Sequence, residues 1–143
     1  MGSWLWYALG SAGMAALVSI FGKIGLKGVD PNTATTIRAV IMMLFLLGVL
    51  MVQGKVTQIG EVLANRKAMI FIVLSGMAGA MSWLFYFVAI QKGDVAKVAP
   101  IDKLSVVLAV VFAIVFLGEK LSLWGGIGVG LIAIGVLITA FAS

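Results

Sequence analysis

The chain contains no cysteine and no histidine. That excludes a disulfide framework, thiolate nucleophiles, imidazole general bases and the usual zinc ligand sets, so no metal site or cofactor is expected. Acids are also scarce: Asp30, Glu61, Asp94, Asp102 and Glu119 are the only five in 143 residues, few to build a carboxylate pair from, and an enzyme is not expected. Charged residues of both signs amount to 10%, against roughly 25% in soluble domains, which is too few to clothe a water-soluble core. The ten Lys and Arg are scattered between apolar segments and form no continuous basic stripe, so the net charge of +5 does not indicate a nucleic-acid partner.

What is abundant is apolar surface. Hydrophobic residues make up 63% of the chain and the mean hydropathy is +1.23, values that belong to a membrane protein. A spanning helix needs about 20 apolar residues, so five would occupy roughly 100 positions and leave little for connections. Five such stretches are present, at about 4–22, 33–52, 68–90, 98–117 and 123–141. They must be helices, because an unpaired backbone group in hydrocarbon costs several kcal/mol. The expectation is an all-α membrane protein, a five-transmembrane-helix bundle forming one domain over 1–143, with no internal repeat and no separate soluble domain. No charged side chain stands ahead of Trp4, so the first stretch is expected to be retained rather than cleaved as a signal peptide. Trp4, Trp6 and Tyr7 suit an interfacial belt. Residues 53–67 form the longest polar stretch and read as a loop with room for a surface helical turn.

Five spans put the termini on opposite sides of the bilayer. The amino-terminal side receives Lys55, Arg66, Lys67 and Lys120, and the other receives Lys23, Lys27, Lys92 and Lys97. Orientation follows the Lys and Arg difference between short loops, and four against four gives almost no instruction. Insertion in both orientations is one reading. The other adds the deeper Arg38 and Lys103 to the second side and places that side in the cytoplasm.

Arg38, Asp102 and Lys103 fall inside the hydrocarbon boundary, and Lys23 closes the first span at the same level. Ionisable groups at such depth usually face a bundle interior or a wet cavity. At about 100° per residue Asp102 shares a face with Ser105, Ala109 and Ala113, while Lys103 shares one with Val107, Val110 and Ile114. Asp102 is therefore expected to point inward and Lys103 to snorkel. Neighbours on a helix do not face each other, so Asp102 is expected to meet a cation of another helix, Arg38 or Lys23. Small or polar stripes converge on this level: Ala8, Ala12, Ala15 and Ser19 in the first span, and Ser75, Gly79, Ser82 and Tyr86 in the third, with Trp83 beside them. The candidate binding or coupling set is Ser19, Lys23, Arg38, Ser82, Trp83, Tyr86, Asp102 and Ser105, in an apolar surround of the kind that holds small molecules. Helix packing, snorkelling and interfacial anchoring are the competing readings for each. In the last span Gly126 and Gly130 make a small-xxx-small pair, and Gly128 and Gly135 recur on nearly one face, which suits close helix packing within the chain or with another chain. Glu119 reads as a turn residue.

Particular motifs add a resemblance. APIDKLS at Ala99 to Ser105, FLGEKLS at Phe116 to Ser122 and GVGLIAIGVLI at Gly128 to Ile138 resemble the end of an EamA-type domain of the drug/metabolite transporter superfamily, and FGKIGLKGVDPNTATTIRA at Phe21 to Ala39 resembles its first connection. Gly128 and Gly135 with Leu131 and Ile132 also resemble the last, dimer-forming helix of small multidrug resistance transporters. Most EamA transporters carry two inverted five-helix units and this chain carries one. The resemblance thus implies a homodimer, antiparallel by preference, with a parallel pair or a related subunit as the alternative. The small multidrug transporters use a glutamate in the first helix, and residues 1–22 contain no acid.

The function expected is secondary transport of a small polar or amphipathic metabolite by alternating access, in a bacterial or archaeal cytoplasmic membrane, with the lipid bilayer as surroundings. Asp102 is the candidate for proton coupling. The alternative for it is a fixed counter-ion beside surplus positive charge, which would favour a substrate bearing a carboxylate or phosphate. The competing function is that of a non-transporting accessory subunit that packs with a related partner.

Overall fold

A computed structural model describes residues 2–142. The described residues form seven helices: α1 (Trp4–Gly25), α2 (Pro31–Val52), α3 (Gln58–Ala64), α4 (Arg66–Lys92), α5 (Val95–Asp102), α6 (Leu104–Leu117) and α7 (Leu123–Phe141). Five segments are long and apolar enough to cross a membrane: α1, α2, α4, the α5–α6 pair over Val95–Leu117, and α7. The protein is an all-α, multi-pass membrane protein. Apolar side chains such as Phe45, Phe71 and Phe116 stand exposed along the spans, as expected where lipid is the solvent and helices gain nothing by hiding Leu or Phe from it.

Local chemistry sets the helix ends. Asp30 caps α2, its carboxylate accepting from the backbone N–H of Thr33 at 2.7 Å and from the Thr33 hydroxyl at 2.9 Å, and Pro31 occupies the first turn, where its missing N–H costs nothing. The Asn65 side chain does the same for α4 by accepting from the Ala68 N–H at 3.1 Å. Gly118, at φ +67°, stops α6 in the left-handed conformation, and the Glu119 N–H reaches back to the Ala113 carbonyl at 3.2 Å. Ser122 then opens α7 by accepting from the Gly125 N–H. The polar stretch expected as a loop contains the short helix α3. The fourth span is not one continuous helix. Near Pro100 the backbone tightens to three-residue steps, Lys103 N–H to the Pro100 carbonyl and Val106 N–H to the Lys103 carbonyl, and α5 gives way to α6 at Lys103.

The thiol-free, acid-poor composition makes Asp30 a useful acid probe. Hydrogen bonds from the Thr33 N–H, and then from its hydroxyl, hold the Asp30 carboxyl below its ordinary value. A depressed carboxyl contributes stability that is fully present above the unfolded value and is lost as pH falls through the folded one. Asp30→Asn keeps a neutral cap, so the melting temperature of the wild type should exceed that of the variant at neutral pH. The difference should close as the medium is acidified below the ordinary aspartate range. A difference that is independent of pH would remove the charged cap as the cause.

The chain divides into two compact units, Gly22–Gln91 and a second made of the described residues 2–21 and 92–142. In the second, α7 packs against α5 and α6, and α5 meets α6; Val136 is its buried apolar residue. In the first, Leu26, Thr35, Tyr86, Phe87 and Ile90 are buried, Ile90 completely. The core of Gly22–Gln91 therefore gathers where the end of α1, the start of α2 and the last turns of α4 meet.

Candidate functional site

The Gly22–Gln91 unit brings together four of the expected residues. The last two turns of α4 present Trp83, Tyr86, Phe87 and Ile90, spaced i, i+3, i+4 and i+7 along one face. Trp83 meets Tyr86 edge-on with ring centres 5.7 Å apart, and Phe87 at 5.5 Å. The Trp83 indole is thus held by two other rings. Arg38, in the second turn of α2, places its guanidinium carbon 3.8 Å from the centre of the Trp83 ring and 5.1 Å from that of Phe87. This is a cation–π arrangement, worth up to about 2 kcal/mol when desolvated. The Arg38 Nη1 nitrogen is buried and has no hydrogen-bond partner. Buried polar groups are nearly always satisfied, so among the described residues this nitrogen, with its donors unused, stands out.

Lys23 and Gln91 fix the frame around this cradle. The Lys23 ammonium donates to the carbonyl of Ile90, one of the last carbonyls of α4, which lack an intrahelical partner and sit at the negative end of the helix dipole. The Gln91 amide donates to the carbonyls of Leu26 and Val29 at 3.1 Å and 2.7 Å. Gly28, at φ +71°, supplies the turn between those two acceptors. The connection from α1 to α2 is thereby latched to the end of α4. Lys23 thus has a part in the fold: it satisfies another helix's terminus.

Gly22 shows how tightly the cradle is backed. A Cβ added there would lie 2.9 Å from the Phe87 ring and 3.4 Å from Ile90, whereas one added at Gly25 would meet nothing within 4 Å. Gly22→Ala should therefore displace the Phe87 ring and cost about 1–3 kcal/mol before the roughly 1 kcal/mol gain in helix propensity. Gly25→Ala should be neutral. Thermal melts of the two variants in detergent check this, and equal melting temperatures would show that Phe87 has room to move.

The other expected residues lie elsewhere or play other parts. Ser82 is exposed on α4, and the stripe expected to lead to the site, Ser75, Gly79 and Ser82, is largely uncovered while the aromatic stripe is buried. Ser19 donates its hydroxyl to the Ala15 carbonyl within α1. Ser105 is exposed on α6. Asp102 meets the ammonium of its sequence neighbour Lys103 at 3.2 Å, with the Lys and Asp side chains 53% and 33% exposed. Asp102 ends α5 and Lys103 stands between the two helices, so the rule for neighbours on one regular helix does not hold at this break. An open apolar groove of about 350 Å³ lies along α6, where Ala109 and Ala113 share its wall with Val110 and Ile114, and contains none of the expected binding residues.

Sequence reading missed Phe87, Ile90 and Gln91. The i, i+3, i+4, i+7 pattern was available for the first two. Gln91 gave only the signal of a polar residue at a span end.

On α7, a Cβ added at Gly128, Gly130 or Gly135 would meet nothing within 4 Å, and one at Gly126 would touch only a Leu121 methyl at 4.0 Å. These glycines are exposed and border almost no atom of this chain.

Five membrane-length helices, one of them carrying an arginine set against aromatic rings, define a multi-pass integral membrane protein. The chain belongs to the EamA-like transporter family, whose pattern matches residues 2–141. It is 41% identical over 138 residues to a protein of Sinorhizobium sp named "Uncharacterized transporter in cobO 3'region", covering 96% of each chain. It is 26% identical over 82 residues to an uncharacterized protein of Methanocaldococcus jannaschii, covering 57% of this chain and 60% of that one. No solved structure matches it significantly. The family and the name of the Sinorhizobium relative both point to transport rather than to chemical transformation.

Proposed function

We propose that the protein is a secondary transporter that moves a small polar or amphipathic metabolite by alternating access, as an antiparallel homodimer in which each chain supplies one EamA-like unit. The observation that carries this reading is Arg38, held on the Trp83 ring with a buried, unanswered donor. A buried charge in a membrane helix is expensive and in membrane proteins commonly marks a substrate or ion path. The uncovered glycine row on α7 supports pairing with a second chain, since small residues on a lipid-facing helix otherwise forgo contact. Odd span number and balanced loop charge favour the antiparallel arrangement.

The test is flux. A metabolite panel is first scored by thermal stabilisation of the purified protein, because a ligand that binds only the folded form raises its apparent stability. Solutes that stabilise are then followed into proteoliposomes. Uptake above that of protein-free vesicles is expected for at least one of them. Absence of uptake until a related subunit is added would make the chain an accessory subunit.

Asp102 is assigned here as a counter-ion to Lys103, not as the coupling acid. The two side chains lie within the fourth span and are partly exposed, so Asp102 has a cation beside it without one from another helix. Asp102→Asn should leave both the flux and its dependence on pH within about 2-fold of wild type, an energy difference below 1 kcal/mol. Loss of the pH dependence in that variant would restore Asp102 to the mechanism.

A further inference from the structure

We propose that the buried edge of the Arg38 guanidinium is the docking point for the anionic group of the substrate, and that the substrate is a small amphipathic carboxylate. This rests on the reading of the chain as a transporter whose site is the Arg38 cradle, and names the chemical class that the cradle takes.

A guanidinium carries five donors and no acceptor, so Nη1 can be answered only by an acceptor. Within Gly22–Gln91 the sequence offers two carboxylates. Asp30 is committed to Thr33. Glu61 lies on α3, beyond the far end of α2 from Arg38. Neither supplies the missing partner. Arg38 as a whole is half-buried, but its Nη1 is excluded from solvent and the guanidinium lies against the faces of Trp83 and Phe87. The rings fix the cation without using its hydrogen bonds. Planar guanidinium matches planar carboxylate through two parallel hydrogen bonds, a geometry that also orients the ligand. The apolar character of the surround follows from Trp83 and Phe87, which offer nothing to hydrate a bare inorganic ion but can accompany a hydrocarbon or aromatic body. Anionic oxygen could also come from a lipid phosphate, so the experiment separates the sources.

Trp83 is the natural reporter. Trp4, Trp6 and Trp124 are exposed and can be changed to phenylalanine, leaving Trp83 as the only indole in full-length protein embedded in phosphatidylcholine discs. Benzoate should alter its emission saturably, with an affinity at least about 10-fold above that of the neutral isostere benzamide, the scale of one charge-assisted hydrogen bond. Arg38→Lys should weaken benzoate about 10-fold or more, because a point charge cannot pair in parallel, and Arg38→Gln should reduce it to the benzamide level. Equal responses to benzoate and benzamide, or a benzoate affinity unchanged by Arg38→Gln, would overturn the anion site. Inorganic phosphate competing as well as benzoate would overturn the carboxylate assignment. Loss of the benzoate response when phosphatidylglycerol is added to the discs would show a lipid headgroup in the site and overturn it as well. Uptake assays on the same variants separate this inference from the one beneath it. Arg38-dependent flux of neutral solutes without benzoate binding would leave the transporter standing and remove the anion, whereas Arg38-dependent benzoate binding with no flux of any anion would leave the site and remove transport.

Discussion

Arg38→Met should move activity and stability in opposite directions. Flux through reconstituted protein is expected to fall by about 10-fold to 100-fold, the equivalent of one lost charge-assisted contact of about 1.5–3 kcal/mol. The melting temperature should rise. Methionine fills much of the same volume and removes a buried, unanswered amino group from a membrane helix; replacing such charge by an apolar side chain is often stabilising by 1 kcal/mol or more. The gain, about 1–4 kcal/mol, is partly offset by losing the contact with Trp83, up to about 2 kcal/mol when desolvated. The net expectation is a rise of up to about 2 kcal/mol, read from thermal melts beside the transport assay. A residue that merely anchored α2 to α4 would show the reverse pattern: a lower melting temperature and undiminished flux per folded protein. The trade is a common one at functional sites, where groups unfavourable to folding are retained for what they bind.

The second large effect is expected at the glycine row of α7. Gly128→Ile or Gly135→Ile adds a side chain whose Cβ meets no atom of this chain within 4 Å, so the protomer should insert and fold normally. In a symmetric pair each substitution appears twice, and overpacking of about 1–3 kcal/mol at a close helix contact should weaken the dimer about 30-fold or more. Energy transfer between labelled protomers, followed as lipid is added to dilute them, reports that equilibrium. Unchanged dissociation in both variants would mean that the row faces lipid and that pairing uses another surface. A carboxyl-terminal reporter read in both compartments gives the orientation of the pair: signal on both sides is expected, and signal on one side alone would replace the antiparallel dimer with a parallel one.

The hydrophobic runs made the five spans legible, because the length of a run and the need to satisfy every backbone group leave one solution. The turn at Glu119 was legible from local sequence as well. The facing of the helices was not. The third span is apolar on nearly every side, so a small-residue stripe through Ser82 and an aromatic stripe through Trp83 and Phe87 compete with little contrast between them, and it is the second that turns inward, with Phe87 buried and Trp83 half-buried. At Lys103 the interruption of the helix shifted the phase on which the faces of Asp102 and Ser105 were reckoned. The importance of Arg38, Trp83 and Tyr86 could be suspected from depth alone, but not that Arg38 leans on Trp83. Lys23 and Gln91 are the hardest cases, since their partners are backbone carbonyls, and a carbonyl leaves no mark in the sequence.

The latch at the end of α4 also bears on how the protein is made. Lys23 waits for a carbonyl 67 residues further along, and Gln91 reaches back 65 residues to Leu26. A nascent chain emerging from the ribosome cannot tie down its first hairpin until the third hydrophobic segment has been synthesised nearly to its end. Until then neither of these two contacts is in place to hold the opening pair of helices together.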